Sequence, residues 1–176
     1  QTEKQRFRKR NKKFLYKKKR GCVMAFKRDL DIGKMGENFA KKKMDTFGIE
    51  TKDGDGKDVD FYIVINGVEY SCECKYDVYA NKSGNLAFET FNTKKCIPSG
   101  VDATKCQIWF HVLSEYEIYV NTVEELKNYI NLNKPFREVS NAGDNNAFLK
   151  LYKMDSVIEL SGLFFASKEV MLKLCK

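Results

Sequence analysis

The run Phe61-Tyr62-Ile63-Val64-Ile65-Asn66-Gly67 constrains this chain more than any other stretch. Five successive aromatic or β-branched residues favour an extended strand. Asn-Gly directly after them suits the positive φ angles of a type I′ turn, so the chain must reverse there and residues 68–76 return as an antiparallel strand. Alternation along that return puts Ser71, Glu73, Lys75 and Asp77 on one face and Tyr70, Cys72, Cys74 and Tyr76 on the other. One face is charged and the opposite face is packable. Asp60 stands at the mouth of the first strand, where the hairpin brings it towards Glu73. Asp58 competes for that place, but strand phase favours Asp60, which abuts the apolar run, whereas Asp58 belongs to the loop.

Around the hairpin, Asp29 or Asp31 is placed to cap a helix running to about Phe47, with Gly48 as its stop. Residues 49–52 read as a short edge strand and residues 53–56, Asp-Gly-Asp-Gly, as loop. Beyond the hairpin, strands are expected near residues 86–90, 107–113, 117–120 and 147–152, with a helix beginning near residues 99–104. Thr122 and Glu125 form a capping box for a helix over residues 123–132, and Pro135 keeps that helix from continuing. Residues 141–146 read as loop and 168–174 as a terminal helix. Helices and strands alternate, which points to an α/β fold: a mixed β-sheet flanked by helices.

The length of 176 residues and 43% hydrophobic content suit one domain with a sizeable core. The charge of +8 is unevenly spread: residues 1–23 hold eleven Lys and Arg against one acid, and residues 24–176 hold 21 basic and 23 acidic residues. Residues 1–23 are therefore expected to be a basic tail, either a flexible phosphate-binding arm or a solvated extension. Residues 24–176 form the single domain. No apolar stretch reaches the length of a membrane span, and no apolar run marks a signal peptide, so the expected location is cytoplasmic or nucleoplasmic. The six cysteines match no disulfide framework and are read as free thiols. The Cys72/Cys74 pair lacks the further ligands that structural zinc requires.

A carboxylate and an ammonium near the middle of a sheet are costly unless they pair with each other, a metal or a substrate. Two close carboxylates repel, and a divalent cation resolves the repulsion. Phosphodiester hydrolysis uses that arrangement: carboxylate-held Mg²⁺ polarises the phosphate and acidifies a bound water, while a lysine acts on the water or on the developing charge. Other candidates are weaker. Counting from Asp53, the twelfth position of a calcium loop is Val64 rather than Glu. His111 reads as a satisfied core or supporting histidine, and the thiol of Cys74 points away from Glu73 and Lys75.

Gly36-Glu37 on the first helix, Asp60 after a polar loop, and Glu73-Cys74-Lys75 closing a hairpin resemble the Glu, Asp and ExK elements of the PD-(D/E)XK nuclease superfamily. Within it the chain is most similar to archaeal-type Holliday-junction resolvases and related phage endonucleases. Residues 83–89 and 98–100 add to the likeness, which spans roughly residues 33–113. Val59 stands where the family has Pro. The resemblance implies a restriction-endonuclease-like fold and a phage- or virus-encoded, Mg²⁺- or Mn²⁺-dependent DNA endonuclease with Glu37, Asp60, Glu73 and Lys75 as its catalytic residues. Asp60, Glu73 and the backbone carbonyl of Cys74 would bind metal, Glu37 would do so directly or through water, and Lys75 would act on the water or phosphate. It also implies branched DNA as substrate and a homodimer, with no membrane partner. The alternatives are a nuclease of the same fold acting on linear or flapped DNA, and a catalytically silent DNA-binding module. Lys82, Lys94, Lys95, Lys105, Tyr76, Tyr79 and Phe91 are either further contacts for phosphates and bases or parts of a solvated loop region.

Overall fold

The computed structural model of the chain describes residues 30–142 and 146–176. The basic tail expected over residues 1–23 lies outside them, as does Asp29. The chain divides into two units, residues 1–35 and 36–176. In the first, residues 30–35 are helical. Asp31 therefore lies inside a helix and does not cap it.

The second unit opens with helix α1, residues 36–46, which Gly48 ends at a φ of 70°. Strands β1 (Glu50–Asp53), β2 (Phe61–Ile65) and β3 (Val68–Tyr76) follow. Asn66 and Gly67 take φ angles of 53° and 79°, the left-handed pair that a type I′ turn needs. The β2–β3 register joins Phe61 to Cys72 and Ile65 to Val68, as the alternation requires. Next come α2 (Ala80–Ser83), β4 (Asn85–Asn92), β5 (Ile97–Pro98) and a 3₁₀ turn at Gly100–Asp102. The helix expected from residues 99–104 is only that turn.

The remaining elements are β6 (Ile108–Val112), β7 (Ile118–Thr122), α3 (Val123–Leu132), β8 (Arg137–Ala142), β9 (Ala147–Lys153), α4 (Met154–Glu159), β10 (Phe164–Phe165) and α5 (Lys168–Leu174). Thr122 caps α3, its side chain accepting from the Glu125 N–H at 3.1 Å. Asn141 and Ala142, expected in a loop, end strand β8 instead.

The fold is mixed α/β, with two sheets rather than one. A six-stranded sheet runs β1-β2-β3-β6-β7-β10, and a four-stranded antiparallel sheet runs β5-β4-β9-β8. Within the larger sheet β3 and β6 are parallel, while the other pairs are antiparallel. Parallel neighbours need a long crossover. Here it contains β4 and β5, so the crossover itself belongs to the second sheet.

Alternation sorts the larger sheet cleanly into two faces. Phe61, Ile63, Cys72, Phe110 and Val120 form one core with Ala40 and Met44 of α1 and Met171 of α5. Trp109 and Tyr119 face the other way, into a core with Phe88 of β4, Tyr152 of β9 and Val123 and Leu126 of α3. Every residue of the central strand β6 is buried. Glu73 and Lys75, in register with Trp109 and His111, belong to this second face. No described helix is long and apolar enough to cross a membrane.

Candidate active site

The loop before β2 is wired by one residue. The backbone N–H groups of Lys57, Asp58 and Val59 donate to Asp55 Oδ1 at 2.9, 2.8 and 3.0 Å, and the first-named contact does most to hold the Asp55 carboxyl below its usual range. Gly54 N–H donates to the carbonyl of Asp60 at 3.2 Å, which closes the loop onto the start of β2. Asp60 is thereby set beside β3. Its Oδ2 accepts the Cys74 N–H at 2.7 Å, and its own N–H donates to the carbonyl of Cys72 at 3.1 Å.

Two hydrogen bonds orient the β3 backbone. Cys72 offers its carbonyl to Asp60 on the β2 side, and Ser71 offers its carbonyl to Gln107 N–H on the β6 side at 2.9 Å. Successive residues alternate. The Cys74 carbonyl therefore projects to the same edge as the Asp60 carboxylate.

Glu73 lies half-buried in the face between the sheets. Burial first, then the charge of Asp60, raise its carboxyl above the ordinary glutamate range, against the opposing pull of a hydrogen bond from Thr104 and the charge of Lys75. Thr104 Oγ1 donates to Glu73 Oε2 at 3.0 Å, and the Cys106 N–H donates to the same hydroxyl at 3.2 Å. Lys127 Nζ reaches across from α3 to donate to the Thr104 carbonyl at 3.1 Å. Lys75 is exposed at the far end of the same strand face.

Glu37 arrives from α1. A Cβ on Gly36 would lie 2.6 Å from Tyr76 Cβ, so only glycine lets the helix settle this close to β3. The consequence is visible at Cys74. Burial first, and then the charges of Asp60, Glu37 and Glu73, push its thiol well above the ordinary range. Asp60, just ahead of β2, bonds the Cys74 N–H, Glu73 precedes Cys74 on β3, and the charge of Glu37 reaches the same residue from α1.

The chain matches no family model, no curated protein and no solved structure. The reading of the site therefore rests on its own chemistry.

The sequence expectation grouped Glu37, Asp60, Glu73 and Lys75; the structure sets Asp60 against the β3 backbone beside Glu73, with Lys75 on the Glu73 face, whereas Glu37 belongs to α1, which packs on the opposite face of the sheet. Asp58 also lines a cavity of about 330 Å³ beside Glu73, together with Lys57, Thr104 and Lys105. Asp60, rather than Asp58, bonds β3. Sequence reasoning missed Thr104, Lys57 and Lys127. Nothing local marks Thr104, which reaches Glu73 only through the crossover. Tyr76, a candidate contact for bases, packs edge-on against Phe39 at 5.8 Å in the helix-side core, because alternation puts it on the face of Cys72 and Cys74. Tyr79 and Phe91 are exposed, and Lys82, Lys94 and Lys95 lie on the exposed crossover.

Among the described residues, no three His, Cys, Asp or Glu side chains form a metal-holding cluster. The donors here are of another kind: two carboxylates and a main-chain carbonyl, with Glu37 beyond them. An all-oxygen set of that kind fits a hard divalent cation rather than zinc. The five described cysteines are free thiols.

Behind the site lies a buried polar row. Trp109 Nε1–H donates to His111 Nδ1 at 3.3 Å, which makes Nε2 the protonated nitrogen. That nitrogen faces Asp77 Oδ2 at 3.5 Å, a long and chiefly electrostatic contact. Asp77 also accepts the N–H groups of Ala87 at 3.1 Å and Tyr79 at 3.3 Å. His111 is a core histidine, tying the crossover to the end of β3.

Proposed function

We propose that this chain is a metal-dependent endonuclease that hydrolyses phosphodiester bonds in DNA, of the PD-(D/E)XK type, with branched junction DNA as the first substrate to test. The observation that carries the reading is the placement of Asp60, bonded to the Cys74 N–H, beside the half-buried Glu73 that Thr104 holds, with Lys75 two residues further along the Glu73 face. A carboxyl driven up by burial and by a second carboxylate is poorly satisfied alone. Such strain is characteristic of functional sites.

Mg²⁺ or Mn²⁺ held by Asp60, Glu73 and the Cys74 carbonyl would neutralise phosphate charge and lower the pKa of a bound water. Glu37 would hold that assembly from the α1 side. Thr104 keeps one Glu73 oxygen aimed by its hydroxyl bond. Lys75, on the exposed end of the face, would orient the attacking water or meet charge developing on the phosphate.

A second reading has its own support. Asp60 spends one oxygen on the Cys74 N–H, and no three-side-chain metal cluster is present among the described residues. That pattern suits a catalytically silent DNA-binding module. Junction, flap, duplex and single-stranded substrates incubated with Mg²⁺ or Mn²⁺, and again with EDTA, decide between the two. The nuclease reading expects cation-dependent cleavage that vanishes in Glu73→Gln. Binding that survives EDTA with no cleavage of any substrate supports the silent module.

A further inference from the structure

Two hollows meet at Thr104-Lys105. The smaller, about 330 Å³, contains Glu73 with Lys57 and Lys105 beside it. The larger, about 660 Å³, shares Thr104 and Lys105 and extends along the start of α3 to Lys127 and Asn128. Thr104 serves both. Its hydroxyl donates to Glu73, and its carbonyl accepts from Lys127 Nζ. The Thr104-Lys105 segment is therefore held from both sides as a fixed ridge between the hollows.

The chemistry proposed for Glu73 makes no use of the larger hollow, whose lining nevertheless has a definite character. Lys105 and Lys127 supply positive charge, and Gln107 and Asn128 supply side-chain amides. Gln107 Oε1 already accepts the Ser71 N–H at 3.1 Å, so its amide nitrogen is the end left to donate elsewhere. Lysine and amide donors are the usual partners of phosphate oxygens. A single acid, Glu124, faces them. One carboxylate among two lysines and two amides is poor for a cation and suited to an anionic, repeating ligand.

We propose that the larger hollow is a subsite for the phosphodiester backbone of the strand that enters the Glu73 hollow, with Lys105 bridging the two. The proposal rests on the nuclease reading. It adds the direction in which the strand leaves the site: over the ridge and along α3.

Binding is measured on the full chain in EDTA, by fluorescence anisotropy with a labelled single-stranded oligonucleotide over a range of salt concentrations. Lys105→Ala should weaken binding and flatten the plot of log affinity against log salt by about 0.7, the value for one phosphate contact on a single strand. Glu124→Gln should tighten binding by removing the one repelling charge. Lys168→Ala, which lines neither hollow, controls for the loss of a surface cation and should leave the slope as it is. An unchanged slope in Lys105→Ala, or no tightening in Glu124→Gln, overturns the subsite. Cleavage by the wild type and by Glu73→Gln, measured separately with Mn²⁺, tests the nuclease reading. Cleavage with unaltered slopes sinks the subsite alone, whereas the expected slopes without cleavage sink the nuclease and support the subsite.

Discussion

Replacing Gly36 by alanine tests how Glu37 is brought to the site. Two effects oppose each other. Alanine within a helix is favoured over glycine by about 0.5–1 kcal/mol. Against this, the added Cβ would sit 2.6 Å from Tyr76 Cβ, 3.2 Å from its Cγ and 3.5 Å from its Cα. Carbon atoms pack at roughly 3.5–4.0 Å, so the methyl is about 1 Å too close. The atom it meets is fixed to the β3 backbone and cannot swing away. Overpacking of that kind costs about 1–3 kcal/mol, which outweighs the helical gain. Gly36→Ala should therefore lose about 1–2 kcal/mol, or roughly 2–8 °C in melting temperature for a chain of this size. If α1 moves by about 1 Å to relieve the clash, Glu37 moves with it, and misplacement on that scale can reduce turnover by up to about a hundredfold. Gly33→Ala is the control, since a Cβ there meets nothing within 4 Å and should stabilise. Circular-dichroism melts of both variants decide the matter. Equal stabilisation by Gly36→Ala and Gly33→Ala would refute the close approach of α1 to β3.

Three further outcomes are expected. The raised Glu73 carboxyl favours the protonated form in the folded state, so its contribution to stability is present below the ordinary value of 4.5 and lost as pH rises through the folded value. In EDTA, Glu73→Gln should melt at or above the wild type at pH 8, with the gap closing towards pH 4; a lower melt at pH 8 would contradict the buried repulsion. The Asp77 carboxyl is the reverse case: burial would raise it, but the contact with His111 and the Ala87 and Tyr79 N–H groups win and hold it below 3.8, so its stabilisation is present above that value and fades as pH falls through the folded one. Asp77→Asn should cost about 1–3 kcal/mol in urea melts at pH 7 by leaving a buried donor unmatched, and the deficit should shrink below pH 4. Asp60→Asn should abolish cleavage and Asp58→Asn should keep most of it, whereas the opposite result would exchange the roles of the two aspartates.

How much of this was legible in the sequence depends on how local each signal is. The β2–β3 hairpin was readable because its turn chemistry and alternation lie within sixteen residues. Helix α3 was readable from its capping box, and α5 matched the expected residues 168–174. The second sheet was not separated from the first. Strand β8, Arg-Glu-Val-Ser-Asn-Ala, is mostly exposed and carries no strong strand propensity, and it extends because β9 offers it backbone partners. Strand β10 is two residues long, too short for any period to show.

The site divides along the same line. Asp60, Glu73 and Lys75 could be grouped from sequence because the hairpin makes distant positions into neighbours by counting alone. Thr104, 31 residues from Glu73, meets it only because β3 and β6 are parallel. A parallel pair forces the intervening chain out of the sheet and back again. Here that excursion builds β4 and β5, buries His111 against Phe88 with ring centroids 5.2 Å apart, and lays Thr104-Lys105 beside Glu73. The cavity that would receive a substrate is thus a product of the crossover, while the carboxylates that would act on it are a product of the hairpin. A sequence motif can name the second set, but the first depends on which strand becomes the parallel neighbour of β3.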